Sequence, residues 1–346
     1  MPDAARIDDL LGAQRERGIA AAVSRWTPEA GTVTRWTSPE GSGAPEPTFL
    51  VYSITKTFIA CLLLQLAEAG RLDLDAPVTH LWRGAPLPPA FTDAVTTRRL
   101  LNHTAGVPDY GGLPEYHAQV RQQPDRPWTT DEFTQATLAQ AWTVPMPARF
   151  AYSNPGYMVL RQLLEAVGER PWQVQLAERV CRPLGLTRTT VATGLADLLP
   201  LAPGLSRLIE GDEPIDVRGR YHPGWVSHGV IASTASEVTH FLQALFTGRL
   251  LRAHSLAAMV ETVPVGQVGG RWRQPAYGLG LMIDPGMPLG TVRGHNGGGP
   301  GYSASAFGLW REGALRGIVT AIVGGGAHDE AETLTFDALA LLRSLS

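Results

Sequence analysis

The stretch SITKTFIACLLLQLAEAG, residues 53–70, decides the fold that the rest of the sequence predicts. Beyond its first residues, apolar side chains recur at the three- and four-residue spacing of a helix with a buried face. These apolar residues are Phe58, Ile59, Leu62, Leu63 and Leu66. Gly70 then stands where the end of a helix favours a left-handed backbone. The pattern predicts a helix over residues 54–69, with a hydroxyl and an amine at its N-terminal end.

The segment before this helix has helix and strand patterns, whereas the segment after it has mainly helical patterns. Residues 4–17 are predicted to be helical, and residues 19–26 and 32–37 have the pattern of a β-hairpin. The middle of the chain, residues 75–224, is rich in proline and has few strand patterns. Its helical patterns cover residues 131–141, 156–167 and 171–182. We expect this middle part to be largely helical, with long loops.

The C-terminal part returns to strand patterns. A helix is predicted over residues 230–247 and a final helix over residues 329–344. Successive short strands are predicted between them, over residues 277–283, 291–294, 303–310 and 315–323. Strands at both ends of the chain, with helices between them, are typical of an antiparallel sheet that carries an insertion.

The predicted fold class is therefore α+β, with an antiparallel β-sheet flanked by N- and C-terminal helices and an inserted, mainly helical lobe. We expect residues 1–80 and 225–346 to form the sheet domain and residues 81–224 to form the lobe. A chain of 346 residues exceeds what one hydrophobic core usually serves, which favours two such units. The active site is expected in the cleft between them.

Lys56 is the only lysine in a chain whose lysines and arginines total 29. A coding bias toward arginine explains the shortage, and it makes the remaining lysine informative. Arginine can replace lysine wherever only a positive charge is needed. It cannot supply a neutral amine, because its pKa stays above about 12. Lys56 is therefore a candidate for amine chemistry, the alternative being a solvated residue of the first helical turn.

Ser53 and Lys56 lie three residues apart, which places them on one face of a helix. The free N–H groups at a helix N-terminus favour negative charge that develops on a hydroxyl oxygen there. A neutral Lys56 can take the Ser53 proton if burial lowers its pKa from about 10.4 toward neutrality, at a cost of about 4 kcal/mol. We therefore predict Ser53 as a nucleophile and Lys56 as its base.

Two further stretches carry candidate site residues. Tyr152 and Asn154 lie on a proline-flanked loop at a helix start. A phenol within reach of Ser53 can relay a proton to a leaving group, and the Asn154 amide can hold a substrate carbonyl. Taken alone, this stretch is better explained as an Asn-Pro turn with a packed tyrosine.

The second stretch is the glycine-rich run of residues 294–301, which contains His295, Gly297 and Gly298. Glycines let a substrate backbone approach closely. A main-chain N–H near Gly298, together with that of Ser53, can form an oxyanion hole. The alternatives are a glycine-rich hairpin and a phosphate loop, but the run lacks the glycine and lysine spacing of phosphate-binding motifs.

Together these stretches resemble three motifs of the serine β-lactamase and penicillin-binding-protein superfamily, in its class C β-lactamase-like, D-peptidase and esterase branch. The motifs are Ser53-x-x-Lys56, Tyr152-x-Asn154 and His295-x-Gly297. Residues 100–106, 229–234 and 277–280 are similar to further segments of that family. The likeness extends from about residue 7 to residue 345.

The resemblance implies a β-lactamase/transpeptidase-like fold and acyl transfer through a covalent acyl-Ser53 intermediate, which water hydrolyses. It implies Lys56 and Tyr152 as the acid/base pair, and Asn154, His295, Gly297 and Gly298 as substrate contacts. One difference stands out, because class C β-lactamases carry a lysine where this chain has His295. A histidine is charged only near or below its pKa, so strong β-lactamase activity is not expected.

Several function classes are disfavoured by composition. A net charge of −3 argues against a nucleic-acid surface, and no stretch is apolar enough to span a bilayer. We expect no metal site and no cofactor, since no paired-ligand motif is present. The N-terminus lacks a signal-peptide pattern, which predicts a cytoplasmic protein.

The expected partner is a small ester, peptide or β-lactam substrate. Five hypotheses remain open at this point. Three use an acyl-enzyme with turnover: a hydrolase of esters or of amides of D-residues, an acyltransferase, and a weak β-lactamase or penicillin-binding protein that turns over slowly. The other two are a binding or sensing module that acylates without turnover or has lost activity, and a Schiff-base enzyme that uses Lys56 to hold pyridoxal phosphate.

Overall fold

The computed structural model describes residues 2–41, 43–82, 87–140, 142, 149–209, 213–327 and 329–342. The helices are α1 Pro2–Leu10, α2 Gly12–Glu16, α3 Thr55–Glu68, α4 Val78–Leu81, α5 Thr97–Leu101, α6 Pro114–Gln122, α7 Thr130–Phe133, α8 Asn154–Gly168, α9 Trp172–Leu176, α10 Arg182–Leu184, α11 Ala235–Phe246, α12 Ala253–Met259 and α13 Glu330–Ala340. The strands are β1 Ala21–Thr27, β2 Gly31–Thr37, β3 Phe49–Leu50, β4 Thr190–Ala192, β5 Leu205–Ser206, β6 Ile215–Asp216, β7 Val230–Ser233, β8 Val263–Pro264, β9 Ala276–Tyr277, β10 Met282–Asp284, β11 Thr291–Gly299, β12 Tyr302–Arg311 and β13 Ala314–Val323.

The main sheet joins the two ends of the chain. Within the described residues it has eight strands in the order β2-β1-β13-β12-β11-β10-β9-β8, and every neighbouring pair is antiparallel. The N-terminal hairpin β1–β2 pairs with the last strand, β13, where Ala21 faces Val323. The predicted α+β fold, an antiparallel sheet flanked by terminal helices, is confirmed.

The two faces of this sheet bury different sets of apolar side chains. One face packs against α1 and α13 and buries Val23, Val292 and Phe307 among others. The other face packs against α3 and α11, and its side chains join the larger core of the molecule. Because residues alternate between faces along a strand, β11 sends Val292 to the first face and the side chain of His295 to the second.

Helix α3 lies inside this larger core. Eleven of its fourteen residues are buried, and Phe58 stacks on Phe241 of α11 with ring centroids 3.6 Å apart. Gly70 follows the helix with φ +69°, as the sequence predicts. The helix is held on several sides, so the residues at its N-terminal end have fixed positions.

A small sheet, β3-β7-β4, connects the sheet region to the helical region that contains α4 to α10. In β7, Ala232 pairs with Leu50 of β3. The π-helical turn Thr134–Leu138 extends α7, and another, Ala177–Cys181, joins α9 to α10. The proposed division at residues 81 and 224 into two domains stays a prediction.

Two sequence-based boundaries need correction. Residues 230–247 are not one helix, because β7 forms first and Thr234 then caps α11 by accepting from the Glu237 N–H. Residues 277–283 are not one strand, because the chain turns between β9 and β10. Gly280 has φ +74° there, and a Cβ on it would lie 2.6 Å from the Cβ of Ala60.

Other boundaries are extended or fall partly outside the described residues. The strand predicted over residues 291–294 continues to Gly299, so the glycine-rich run is itself a strand. Residue 141 of one predicted helix and residues 343–344 of another lie outside the described residues. Both cysteines, Cys61 and Cys181, are free and buried. Among the described residues, no helix has the length and apolar character that crossing a bilayer requires.

Candidate active site

Ser53 lies at a tightly constrained bend between β3 and α3. The chain passes through the 3-10 turn Tyr52–Ile54, and Tyr52 has a left-handed backbone with φ +44°. A bulky residue in that region carries strain, so its surroundings must hold it there. The Tyr52 hydroxyl donates to the carbonyl of Pro300, which fastens the bend to the turn after β11. The side chain of Ser53 remains partly exposed.

Lys56 lies one helical turn beyond Ser53, and its side chain is fully buried. Its Nζ lies 3.0 Å from Ser53 Oγ and 2.8 Å from Asn154 Oδ1. A third neighbour, His228 Nε2, lies 3.3 Å away. The amine therefore has three polar contacts, and none of these neighbours is a carboxylate.

Burial lowers the pKa of Lys56 from its ordinary value of 10.5 to about 7. The negative charge of Asp109 acts in the opposite direction and raises this pKa. The rings of Tyr152 and Tyr157 lie 4.9 and 5.5 Å from Nζ, close enough to stabilise the charged form further. At neutral pH a large fraction of Lys56 is consequently an uncharged amine, which can accept a proton.

Tyr152 reaches the same hydroxyl from the helical region. Its OH lies 3.0 Å from Ser53 Oγ, and burial raises the pKa of this phenol above its ordinary value. The hydrogen bond to Ser53 lowers the same pKa by a smaller amount. Tyr152 thus stays protonated at neutral pH and can donate its proton.

Asn154 begins α8 behind an N-cap, Ser153, whose Oγ accepts from the Gly156 N–H at 3.0 Å. Asp109 Oδ1 accepts from both the backbone N–H and the side-chain Nδ2 of Asn154, at 2.8 and 3.1 Å. These contacts fix the amide so that its oxygen faces Lys56. The sequence predicts an amide that holds a substrate carbonyl, and the structure places that amide against Lys56 as well.

The glycine-rich strand β11 runs directly beside the bend at Ser53. A Cβ on Gly297 would lie 2.1 Å from the Val51 carbonyl oxygen and 3.1 Å from the Ser53 backbone nitrogen. A side chain at this position would force the two segments apart. In the described part of the sheet, β10 pairs with β11 only as far as Gly294. Beyond that residue this edge of β11 has no strand partner among the described residues, and Gly298 on it is partly exposed.

His295 is buried rather than displayed to a substrate. Its side chain is 2% exposed, and Nε2 lies 2.8 Å from the Tyr277 hydroxyl. Burial and the nearby Lys56 charge lower its pKa to about 3. The imidazole is consequently neutral at physiological pH.

Sequence reasoning missed two polar neighbours of the site, Asp109 and His228. The chain segment GVPDY that contains Asp109 has no motif that indicates a chemical role, and neither does the segment around His228. His103 follows α5 with φ +59° and accepts from the Ser153 N–H at 3.1 Å. No cluster of His, Cys, Asp or Glu suited to a metal ion occurs among the residues that the structure describes.

The structure thus brings Ser53, Lys56, Tyr152 and Asn154 together, with the strand of Gly297 alongside. A hydroxyl lies between a partly uncharged amine and a protonated phenol. Such an arrangement can deprotonate the hydroxyl for attack on a carbonyl carbon and then protonate a leaving group.

Comparisons with known proteins identify the family of this chain. The sequence profile described as Beta-lactamase matches residues 4–341. The chain is 27% identical to penicillin-binding protein 4 of Amycolatopsis lactamdurans over 235 residues, which are 64% of this chain and 60% of that protein. It spans 60, 56 and 55% of the length of three curated relatives that it matches.

Solved structures match over nearly the whole chain. A D-stereospecific amidohydrolase from a Streptomyces species superposes with a TM-score of 0.81 at 28% identity, covering 97% of this chain and 99% of that one. The D-amino acid amidase of Ochrobactrum anthropi SV3, complexed with L-phenylalanine, gives 0.81 at 24% identity and covers all of both chains. With the family profile matching almost from end to end, this chain belongs to the beta-lactamase family.

Proposed function

We propose that this protein is a serine hydrolase that cleaves esters or amides of D-residues through a covalent acyl-Ser53 intermediate. One observation carries the proposal: the buried Lys56 amine, with a pKa of about 7, lies 3.0 Å from Ser53 Oγ. An amine in this state removes a proton from a hydroxyl without a metal or a histidine base. Membership of the beta-lactamase family supports the reaction type.

In the acylation step, Ser53 Oγ forms a bond to the substrate carbonyl carbon while Lys56 Nζ takes the hydroxyl proton. The negative charge passes to the carbonyl oxygen, which the N–H groups of Ser53 and Gly298 stabilise. The close approach of β11 to the bend at Ser53 supports this pairing of donors.

The tetrahedral intermediate collapses when the bond to the leaving group breaks. Tyr152 donates its phenolic proton to the leaving nitrogen or oxygen. The Tyr152 oxygen then takes back the proton that Lys56 Nζ received, since both atoms lie 3.0 Å from Ser53 Oγ. Water then attacks the acyl-Ser53 ester and gives one proton to Lys56. The acid is released and the proton returns to Ser53, so every group regains its initial state.

A D-residue on the acyl side is the expected specificity. The amidohydrolase from Streptomyces is named as D-stereospecific. It is 28% identical to this chain, and the match covers 99% of its length. The proposed chirality of the substrate rests on this similarity.

The leaving group of the substrate is expected to carry no free carboxylate. His295 stands where class C β-lactamases carry a lysine, and it is neutral because burial lowers its pKa to about 3. Arg271 and Arg293 have other neighbours, since their guanidinium groups lie over the rings of Phe336 and Trp310, at 4.9 and 4.5 Å. Simple amides and esters are therefore favoured over peptides that end in a free carboxylate.

The test compares wild type with Ser53→Ala on short-chain nitrophenyl esters, D- and L-alanyl anilides, D-alanyl-D-alanine and a chromogenic cephalosporin. Ser38→Ala serves as a matched serine control. We expect turnover of the esters and the D-anilide, little of the dipeptide or cephalosporin, and loss of turnover only in Ser53→Ala. A fluorophosphonate probe should label Ser53. Labelling at another residue, or equal turnover of both anilides, contradicts the proposal.

A further inference from the structure

His228 enters the site on the turn that precedes β7. It is 1% exposed, and its neighbour Gly229 has φ +84° with the Trp172 ring 2.8 Å from where a Cβ would lie. The turn therefore has little freedom to move. In β7 itself, the Ile231 N–H donates to Thr55 Oγ1 at 3.1 Å. The segment that carries His228 is thus tied to the first residue of α3.

The uncharged form of Lys56 has one bonding direction for each of its three polar neighbours, as the three N–H groups of the charged form also do. The uncharged amine has two N–H groups and one lone pair, and Nζ has three polar neighbours. Asn154 offers only its oxygen, because its Nδ2 donates to Asp109. If His228 Nε2 accepts the second N–H, the group that remains to face Ser53 Oγ is the lone pair.

We propose that His228 is a positioning residue whose Nε2 accepts one N–H of the uncharged Lys56 amine and thereby directs the amine lone pair at Ser53 Oγ. The inference rests on the proposed function, since a directed lone pair matters only if Lys56 is the base. Without this acceptor, rotation about the Cε–Nζ bond presents an N–H to Ser53 in place of the lone pair.

His228 has the properties that this acceptor needs. Burial holds its pKa well below the ordinary value, and the positive charges of Lys56 and Arg161 act in the same direction. The ring therefore stays neutral. Nδ1 of His228 has no hydrogen-bonding partner among the described residues. No donor therefore requires Nδ1 to act as an acceptor, which would place the ring proton on Nε2. A proton on Nδ1 leaves Nε2 free to accept.

The experiment measures the second-order rate of fluorophosphonate labelling of Ser53 at pH 8 in His228→Gln and His228→Leu. The glutamine amide retains an acceptor, whereas leucine fills the space without one. His254→Leu, on an exposed face of α12, is the matched control. We expect labelling within about threefold of wild type for glutamine and a loss of about tenfold or more for leucine, the value of one hydrogen bond. Equal rates for leucine and wild type overturn the proposal.

A second measurement is made on the wild-type protein and uses one variant only to assign the signal. ¹⁵N-histidine NMR of wild type at pH 8 shows which ring nitrogen of His228 carries the proton, and the spectrum of His228→Gln assigns the signal. We expect the proton on Nδ1, and a proton on Nε2 overturns the proposal. Because labelling of wild type at Ser53 tests the proposed function separately, the two failures can be told apart.

Discussion

Replacing Lys56 by methionine is expected to stabilise the protein, and more so at low pH. The side chain is fully buried, and its pKa is lowered from 10.5 to about 7. An unfolded chain therefore binds more protons than the folded one between these two pH values, so the stability of wild type rises with pH across this range. Methionine has a similar length and no charge, and it avoids the penalty of burying an ammonium group.

The size of the effect follows from the two pKa values. Each tenfold change in proton affinity corresponds to about 1.4 kcal/mol. The lowered pKa of Lys56 therefore reduces the free energy of unfolding of wild type by about 5 kcal/mol below pH 7. Between pH 6 and pH 9, wild type should recover about 2.5 kcal/mol relative to Lys56→Met. The neighbouring His103 and His228 do not mask this change, because burial keeps the pKa of each well below its ordinary value.

The assay is urea unfolding of both proteins at several pH values from 6 to 9, with the difference in free energy of unfolding taken at each pH. Leu62→Met, six residues further along α3 and equally buried, is the control whose difference from wild type should not vary with pH. A difference between wild type and Lys56→Met that stays constant within about 0.5 kcal/mol would refute the reasoning, since it would mean that folding does not change the proton affinity of Lys56.

Three further predictions concern the neighbours of Ser53. Asp109→Asn removes a negative charge that raises the pKa of Lys56. The rate of fluorophosphonate labelling of Ser53 rises with pH as Lys56 loses its proton, and the midpoint of this rise should move below pH 7 in the variant. An unchanged midpoint would contradict this prediction. Tyr152→Phe should slow hydrolysis of an anilide by about 10²- to 10⁴-fold. Hydrolysis of a nitrophenyl ester should slow much less, because nitrophenolate leaves without a proton whereas the aniline nitrogen needs one. Equal losses for the two substrates would argue against Tyr152 as the acid. Gly297→Ala places a Cβ 2.1 Å from a backbone carbonyl oxygen and should cost about 1–3 kcal/mol in urea unfolding, whereas Gly12→Ala, with open space around it, should not.

Much of the fold could be predicted because its signals are local. The helical spacing of residues 54–69 and the positive φ of Gly70 depend on neighbours in the chain. The β1–β2 hairpin and the long strands β12 and β13 likewise follow from patterns that a short window contains. Helix α3 carries Lys56 in its first turn, directly after the 3-10 turn that contains Ser53, and the lone lysine drew attention to both residues.

The parts that sequence reasoning missed depend on contacts between distant segments. His228 is 172 positions from Lys56, and Asp109 is hydrogen-bonded to Asn154, whose amide oxygen contacts Lys56. No periodic pattern marks such a pair. The strand predicted over residues 291–294 stops before the glycines of residues 297–299. β11 continues through these glycines because they pair with residues 302–304 of β12, and a side chain on Gly297 would collide with the chain before Ser53.

The most direct test of the account measures the protonation of Lys56 itself. Since this is the only lysine in the chain, protein labelled with ε-¹³C-lysine gives one side-chain resonance that needs no assignment. The account predicts that this resonance titrates with a midpoint near pH 7. A midpoint near the ordinary value of 10.5 would show a permanently charged ammonium at neutral pH, and would contradict the claim that Lys56 activates Ser53.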